Sequence, residues 1–561
     1  MLAAAPTLAI LVLAGPILIG LLATALPAFG YFPVLGGENF SLQPWRDLAA
    51  MPGLWRSATV SLVTGLVTAF VALAAVAAFM AGWSQTRLFR SVQHLVSPLL
   101  SVPHAAAAFG LAFLLAPSGW LMRLVSPELT GFTRPPDWLV VHDSLGLTMM
   151  AGLIVKEIPF LFLIALAALP QIRPRDYAAT ATSLGYGRMA GFFHTVWPQL
   201  YPQIRLAVFA VIAYSSSVVD VAIILGPTNP APLAVRLVGW MNDPDLKMRF
   251  VASAGALLQL GVTAAALVLW IVGEKLAGMA HRKLRVSGRR FAREQPARIV
   301  SAGAISLAAF AVIAGLALLA LWSLAGYWAF PDALPHSLTL DTWGRQLPAL
   351  GRPFAITVAV GFAATVVAVA ITLACLEFET RTGARVKGRA LMILYLPLIV
   401  PQASFVFGLQ LSFLWAGLGA SFGTLVLAHL VFVLPYVMLS LTEPWHAADP
   451  RYARAANSMG ASDNLVFWCI RMPMALAPIL VAAAVSFAVS VGQYLPTLLI
   501  GAGRWPTITT EAIALASGGD RRVIGVFAFV QMGLPFIGFL VATLVPAVAF
   551  ARRRDMRAAH A

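Results

Sequence analysis

The sequence predicts an all-α polytopic membrane protein of about twelve transmembrane helices, arranged as two parallel six-helix repeats with both termini in the cytoplasm. Composition, the number of apolar stretches and an internal duplication carry this prediction. Of the 561 residues, 60% are hydrophobic and only 11% are charged, and the mean hydropathy is +0.85. Soluble domains are about half apolar and a quarter charged, so this composition indicates a chain that lies largely within a membrane.

Twelve stretches are long enough to cross a bilayer, whose hydrocarbon core of about 30 Å needs roughly 20 apolar residues in a helix. They lie at about 6–27, 55–82, 93–117, 145–169, 204–226, 248–275, 299–325, 353–377, 391–415, 421–442, 477–500 and 522–550. The first stretch has no basic segment before its apolar core, so we interpret it as a retained helix and not as a cleaved signal peptide.

Basic residues are concentrated in alternate loops between these stretches. With the N-terminus in the cytoplasm, the cytoplasmic segments hold 25 of the 38 Lys and Arg residues, and the external segments hold 12. This bias is the positive-inside rule, which predicts cytoplasmic termini. It accounts for the net charge of +16 without nucleic acid as a partner, and it leaves membrane lipid as the expected surroundings.

Two polar loops with the same internal spacing interrupt the apolar pattern, at Asp176–Pro198 and Arg451–Pro473. Three pairs of residues in them are separated by 275 positions: Tyr177 and Tyr452, Gly185 and Gly460, and Pro198 and Pro473. In each copy an Ala-rich run favours helix, the glycine allows a turn, and the proline begins the next helix. One such loop could be an ordinary connector, but two at a constant separation indicate a repeated docking element.

The duplication extends beyond the loops. Val102-Pro103-His104-Ala105 returns 298 residues later as Val400-Pro401-Gln402-Ala403, and Gly226 and Gly501 are again 275 apart. Because six helices separate the copies, the halves share one orientation, as in a parallel repeat. The predicted units are 1–52 (first helix and external segment), 53–275 (first repeat), 276–298 (basic cytoplasmic linker), 299–349 (seventh helix and external segment), 350–550 (second repeat) and 551–561 (basic tail).

This organisation resembles the permease subunit of type I, binding-protein-dependent ABC importers, and the fused form is similar to iron(III)- and thiamine-type permeases. In that family the repeated loop, the EAA loop, forms a coupling helix that docks on an ATPase subunit. The family's loop positions fall here on Tyr177, Ala179, Ala181, Gly185, Pro198, Tyr452, Arg454, Ala455, Ala456, Gly460 and Pro473. The family's glutamate is replaced by Ala179 and Arg454, so any salt bridge from that position must be lost or supplied differently.

The resemblance implies partners and a location. A phosphate-binding loop ending in G-K-[ST] is absent from the sequence, so ATP hydrolysis is expected on a separate subunit and the chain is not expected to be an enzyme. The family implies two copies of an ABC ATPase carrying ATP and Mg²⁺, a periplasmic solute-binding protein, and a multi-pass position in the bacterial inner membrane. No catalytic set, metal site or resident cofactor is predicted for this chain.

A few polar residues at depth in predicted helices are candidates for the translocation path. Charge there costs at least about 2.5–3.5 kcal/mol, so it faces protein or water. The candidates are His104, Lys156, Glu157, Asp220, Gln402, Gln493 and Tyr494. Lys156 and Asp220 could instead form a buried ion pair that fixes the packing of two helices.

Two functional classes remain at this stage. The favoured one is the ABC importer permease; the alternative is a twelve-helix secondary transporter driven by an ion gradient, which should carry coupling carboxylates in its helices. Only Glu157 and Asp220 lie deep in helices, both in the first half, which disfavours the alternative. An intramembrane enzyme would need a matched nucleophile or metal set. The solute stays open between iron(III), thiamine, a polyamine and an oxyanion.

Overall fold

The computed structural model describes residues 2–172, 174–290, 293–383 and 389–551. Within these ranges the chain is helical, with two isolated β-bridges and no β-strand. The predicted basic tail lies outside the described residues except for Ala551.

The first half runs from α1 to α13. Its helices are α1 (Ala5–Ala28), α2 (Gln43–Ala50), α3 (Leu54–Trp83), α4 (Arg87–Val96), α5 (His104–Leu115), α6 (Trp120–Val125), α7 (Leu147–Ala168), α8 (Pro174–Ser183), α9 (Arg188–Gly191), α10 (Trp197–Ser217), α11 (Asp220–Leu225), α12 (Leu233–Met241) and α13 (Met248–Val286). Short 3₁₀ turns lie at Leu2–Ala4, Pro33–Leu35, Ser97–Ser101 and Leu169–Ile172, and a π-helical turn at Phe192–Val196 joins α9 to α10.

The second half runs from α14 to α25. Its helices are α14 (Gln295–Leu324), α15 (Asp341–Thr382), α16 (Arg389–Ile399), α17 (Gln402–Trp415), α18 (Phe422–Ala447), α19 (Pro450–Ser458), α20 (Asp463–Val466), α21 (Met472–Met474), α22 (Leu476–Val491), α23 (Leu495–Gly501), α24 (Ile508–Ala514) and α25 (Arg521–Ala549). A π-helical turn at Phe467–Arg471 follows α20, and a 3₁₀ turn at Leu515–Ser517 follows α24.

Nine helices of the described residues are apolar and long enough to cross a membrane, and two bent pairs raise the number to eleven. The pairs bend by 93° between Met392–Ile399 and Gln402–Trp415, and by 71° between Asp463–Met474 and Leu476–Val491. The span predicted at 204–226 is not among these eleven. The structure divides that stretch at Val218, whose backbone is extended (φ −64°, ψ 137°), into α10 and α11.

The predicted duplication is visible helix by helix. The break between α10 and α11 matches the break between α22 and α23, since Asp220 and Leu495 begin the second piece 275 residues apart. The same separation relates Leu233 and Ile508, which begin α12 and α24. Each π-helical turn also lies at the same position of its half. The polytopic all-α fold of two parallel repeats is therefore confirmed.

The halves interlock through their first helices. Helix α1 packs on α17 of the second half, and α14 packs on α5 of the first half. Glycines form both crossings: a Cβ at Gly408 would overlap the carbonyl oxygen of Gly20, and a Cβ at Gly110 would lie 2.7 Å from the carbonyl carbon of Gly315. Small residues allow such close approach of helices in lipid, where burial of apolar side chains gives little association energy.

Candidate functional site

Each half carries a surface loop with the same backbone path. In the first loop (174–198) α8 ends at Ser183, Gly185 has φ +78°, and α9 follows. In the second loop (449–473) α19 ends at Ser458, Gly460 has φ +86°, and α20 follows. A residue with a side chain enters this left-handed region only at a cost of about 1–2 kcal/mol. Each turn therefore depends on its glycine.

The loops present most of the residues selected from the sequence to solvent. The exposed ones are Tyr177, Ala179, Pro198, Tyr452, Arg454 and Ala455. Ala181 and its counterpart Ala456 are buried. A Cβ at Gly191 would lie only 2.8 Å from the Cβ of Ala181, so Ala181 packs beneath the turn, where a larger side chain would not fit. Pro473 is half-buried.

Two exposed apolar side chains were missed by the sequence reasoning. Leu184 and Met459 directly precede the two glycines and are 57% and 82% exposed. Their spacing of 275 residues was a usable signal, since an apolar residue at the same point of both polar turns is unexpected in a plain connector. Each loop therefore offers an exposed apolar side chain directly before its glycine.

Most of the candidate path residues lie beside breaks in the membrane helices, in a region separate from the two loops. Pro103 and Pro401 are the residues just before α5 and α17, so His104 and Gln402 begin these helices at equivalent points of the two halves. Asp220 begins α11, and Tyr494 directly precedes α23. Prolines and breaks at membrane depth leave backbone groups that only protein or water can satisfy.

Polar side chains from both halves meet at these breaks. Glu157 Oε1 lies 3.3 Å from His104 Nε2, and the His104 ring centroid lies 4.7 Å from that of Tyr214. Tyr214 also lies beside Asp220. From the second half, Tyr436 lies in the neighbourhood of Glu157, and Tyr494 in that of Asp220. We call this set the central polar cluster; its members are His104, Glu157, Tyr214, Asp220, Tyr436 and Tyr494.

Two further candidates border the cluster. Gln402 Nε2 donates to Gln493 Oε1 at 3.4 Å, which links the break before α17 to the break after α22. Gln493 is buried and Gln402 is half-buried. The three tyrosines of the cluster were not all anticipated: Tyr214 and Tyr436 sit within apolar runs, where a single aromatic gives no functional signal.

Lys156 does not pair with Asp220, so the ion pair considered from the sequence is wrong. Its ammonium donates to the carbonyl oxygens of Leu99 and Leu100, at 2.8 and 3.1 Å. The physical reason is the 3₁₀ turn at Ser97–Ser101, which interrupts the third predicted span and leaves carbonyl groups for a buried cation to bind. Lys156 is only 4% exposed, and its ammonium is satisfied by these backbone carbonyl groups.

A buried histidine of the second half lies between two hydroxyl groups. His429 of α18 is buried, and its two ring nitrogens lie 2.8 Å from Ser490 Oγ and 2.9 Å from Thr497 Oγ1. Both ring nitrogens are thus satisfied by hydroxyl groups. The charged side chains of the cluster therefore all come from the first half, and the second half contributes neutral polar groups.

A helical membrane protein of two interlocked halves, with a matched surface loop in each half and a polar cluster between them, has the architecture of a membrane transport component. A protein-family description, "Binding-protein-dependent transport system inner membrane component", matches residues 367–555. The chain is 32% identical over 510 residues to the inner membrane ABC transporter permease protein YnjC of Escherichia coli K12, covering 90% of this chain and 91% of the relative. The chain therefore belongs to the family of ABC transporter permeases and is a multi-pass protein of the inner membrane.

Shorter relatives match about a third of the chain. The spermidine/putrescine transport system permease protein PotC of Haemophilus influenzae is 24% identical over 182 residues, covering 32% of this chain and 69% of the relative. The molybdenum transport system permease protein ModB of Azotobacter vinelandii is 25% identical over 174 residues, covering 29% and 77%. A single chain here thus spans the length of two such proteins.

Proposed function

We propose that this chain is the permease subunit of an ATP-driven importer and contributes both halves of the transmembrane path. It forms the path for a solute delivered by a periplasmic binding protein. Two copies of a separate ATPase, which carry the ATP and Mg²⁺, engage the first and second loops. The observation that supports this most is the pair of loops, which share helix, left-handed glycine and π-helical turn at a constant separation.

The helices after the loops suggest how docking would reach the solute. In the first half, α9, the π-helical turn and α10 form one continuous helical segment from Arg188 to Ser217. That segment starts in the first loop and ends at the break beside Asp220. In the second half, α22 likewise ends just before Gln493 and Tyr494. A displacement of either loop would be carried to the central polar cluster as a rigid-body motion, which suits alternating access.

Co-purification tests the coupling role. A tagged chain should retain an ABC ATPase subunit, and the double variant Gly185→Trp, Gly460→Trp should lose it. Gly36→Trp is the control, because Gly36 has positive φ (+81°) like both loop glycines and open space around it like Gly460, but lies on the predicted external side. A folded wild-type chain that transports solute without any ATPase would refute the proposal and favour the ion-driven alternative.

For the solute, the cluster chemistry favours a cation over an oxyanion. The two shorter relatives are named for spermidine/putrescine transport and for molybdenum transport, so similarity alone does not decide the class of solute. Glu157 and Asp220 supply two carboxylates, and the Lys156 ammonium is occupied by backbone carbonyls. The faces of Tyr214, Tyr436 and Tyr494 can add cation–π attraction to a bound cation.

Uptake of named probes tests the solute class. Cells expressing the full system would be compared for uptake of putrescine, thiamine, iron(III) and molybdate. Glu157→Gln should lower uptake of a cationic probe by about tenfold or more, since a buried charged contact is lost. Glu128→Gln, at an exposed external carboxylate, should have no effect. Molybdate uptake, or a cation uptake that is unchanged in Glu157→Gln, would refute the cation assignment without affecting the coupling proposal.

A further inference from the structure

The two loops differ in how the helical segment after each glycine is capped. The first four N–H groups of a helix have no intrahelical partner, and a side chain at the preceding position usually accepts from one of them. In the second loop Ser462 does this, since its hydroxyl oxygen accepts from Leu465 N at 3.4 Å. The equivalent residue of the first loop, 275 positions earlier, is Gly187, which has no side chain.

A residue distant in sequence supplies the missing cap. The Glu294 carboxylate accepts from Met189 N at 3.0 Å and from Ala190 N at 2.8 Å. These are the second and third N–H groups of the segment that continues through α10. A carboxylate at this end of a helix is also favoured by the helix dipole. A Cβ at Gly187 would lie 2.5 Å from Glu294 Oε1, so the glycine makes room for the carboxylate.

Glu294 belongs to the linker between the halves and directly precedes α14. The same linker makes other contacts with the first loop: His194 Nδ1 lies 2.9 Å from His281 Nε2, and a Cβ at Gly185 would lie 3.0 Å from an Arg290 guanidinium nitrogen. Nearby, Trp83 Nε1 donates to Arg298 O at 2.9 Å, which fixes the start of α14 against α3. The first loop is thus held by the linker and by α14.

The second loop is held by a different element. Arg381 of α15 donates to Asn464 Oδ1 at 3.0 Å, and Arg471 donates to Glu377 of the same helix at 2.6 Å. Helix α15 is the second membrane helix of its own half, whereas α14 is the helix that crosses to pack on α5. The first loop has a comparable contact, because Arg188 donates to the carbonyl oxygen of Ser84 at the end of α3, the counterpart of α15. The link through Glu294 to α14 is therefore an additional attachment of the first loop.

We propose that Glu294 is a positioning residue that caps and orients the first loop and couples it to α14, in addition to the contact of that loop with α3. The first loop is joined through Glu294 to α14, which crosses between the halves. The second loop is joined to α15 and keeps its own serine cap. The inference rests on the proposed coupling role of the loops for its functional meaning, but the cap itself can be tested without an ATPase.

Hydrogen–deuterium exchange on the purified full chain in nanodiscs tests the cap directly. Glu294→Ala should speed exchange of the amides at 188–191 by about fivefold, the effect expected for loss of a helix cap, and leave 463–466 unchanged. Ser462→Ala is the matched control and should give the reverse pattern. Unchanged exchange at 188–191 in Glu294→Ala, or equal acceleration in both loops, would overturn the proposal.

A double variant separates capping from general loss of stability. Gly187→Ser alone should also speed exchange at 188–191, because its Cβ displaces the Glu294 carboxylate. In the Glu294→Ala background the same serine should restore slow exchange, since it can cap as Ser462 does. Additive acceleration in the double variant would refute the cap.

Retention of the ATPase tests separately whether the Glu294 cap matters for coupling. The co-purified ATPase should be retained less by Glu294→Ala and regained in the Gly187→Ser, Glu294→Ala double variant. If exchange responds as expected while ATPase retention does not, the cap stands and its role in coupling is refuted. If no ATPase binds the wild-type chain at all, the coupling proposal fails and the cap is judged on exchange alone.

Discussion

Replacing Glu377 by Ala is expected to loosen the end of α15 nearest the second loop. The Glu377 side chain is 2% exposed, and each of its oxygens accepts from a different arginine. Arg381 Nε donates to Oε1 at 2.6 Å, and Arg471 Nη1 donates to Oε2 at 2.6 Å. One buried carboxylate therefore joins α15 to the π-helical turn of the second loop.

The expected magnitude follows from these two bonds. Hydrogen bonds to charged groups contribute about 1.5–3 kcal/mol each, so the pair is worth about 3–6 kcal/mol. The Arg381 and Arg471 side chains are 25% and 20% exposed, so water can partly replace the lost carboxylate. The lower limit, about 3 kcal/mol, is therefore expected, which corresponds to about a hundredfold change in an opening equilibrium.

A buried thiol provides the assay. Cys375 is 3% exposed and lies two residues before Glu377 on α15, whereas Cys469 is exposed. In a Cys469→Ser background the rate of Cys375 alkylation reports opening at this end of α15. Glu377→Ala should raise that rate about a hundredfold, and Glu377→Gln should raise it less because one oxygen acceptor remains.

An exposed ion pair gives the control. Arg451 Nε lies 3.9 Å from Asp449 Oδ2, and the two side chains are 85% and 45% exposed. Such pairs contribute about 0–1 kcal/mol, so Arg451→Ala should change the alkylation rate by no more than about fivefold. A Glu377→Ala rate within about fivefold of the parent, or an equal response of the control, would show that the carboxylate does not hold α15 to the loop.

Two further outcomes follow from the packing and the titratable groups. Gly408→Ala should lower the thermal unfolding midpoint strongly, by an overpacking cost of at least about 1–3 kcal/mol, whereas Gly303→Ala, with open space around it, should be neutral or stabilising. Burial and Arg285 lower the pKa of His194 and of His281. Because the neutral rings are favoured in the fold, their contact is fully stable above pH 6.5, the ordinary value, and weakens as pH falls from there. Amide hydrogen–deuterium exchange in the first loop, corrected for the intrinsic rate, should therefore become faster as pH is lowered from 7.5 to 5.5. His281→Gln should reduce this pH dependence.

The sequence was sufficient for features that are local or repeated. Apolar stretches of spanning length, the glycine turns and the offset of 275 residues all depend on neighbouring residues or on self-similarity, so the fold class and the loop geometry could be predicted. The break within the span predicted at 204–226 could not be foreseen, because nothing in that apolar run indicates the extended residue Val218.

Contacts between distant residues could not be predicted in the same way. Lys156 was matched to Asp220 by counting residues along continuous helices, but the helix before α5 is interrupted and offers carbonyl groups instead. The caps and ion pairs of the loops join residues about a hundred positions apart, as in Glu294 with Ala190 and Glu377 with Arg471. A charged residue in a basic linker gives no sign of such a partner.

The sequence difference between the two halves explains how a polar cluster can have its charged groups on one side. In a dimer of identical halves, each carboxylate at the interface would occur twice, and Glu157 and Asp220 would place four carboxylates around one centre. Like charges at short distance disfavour ionisation and cost stability. In this chain Leu495 stands at the position equivalent to Asp220, and Gln402 at that equivalent to His104. The second half therefore supplies neutral groups and tyrosines opposite a single set of charges, an arrangement that only halves with different sequences can make.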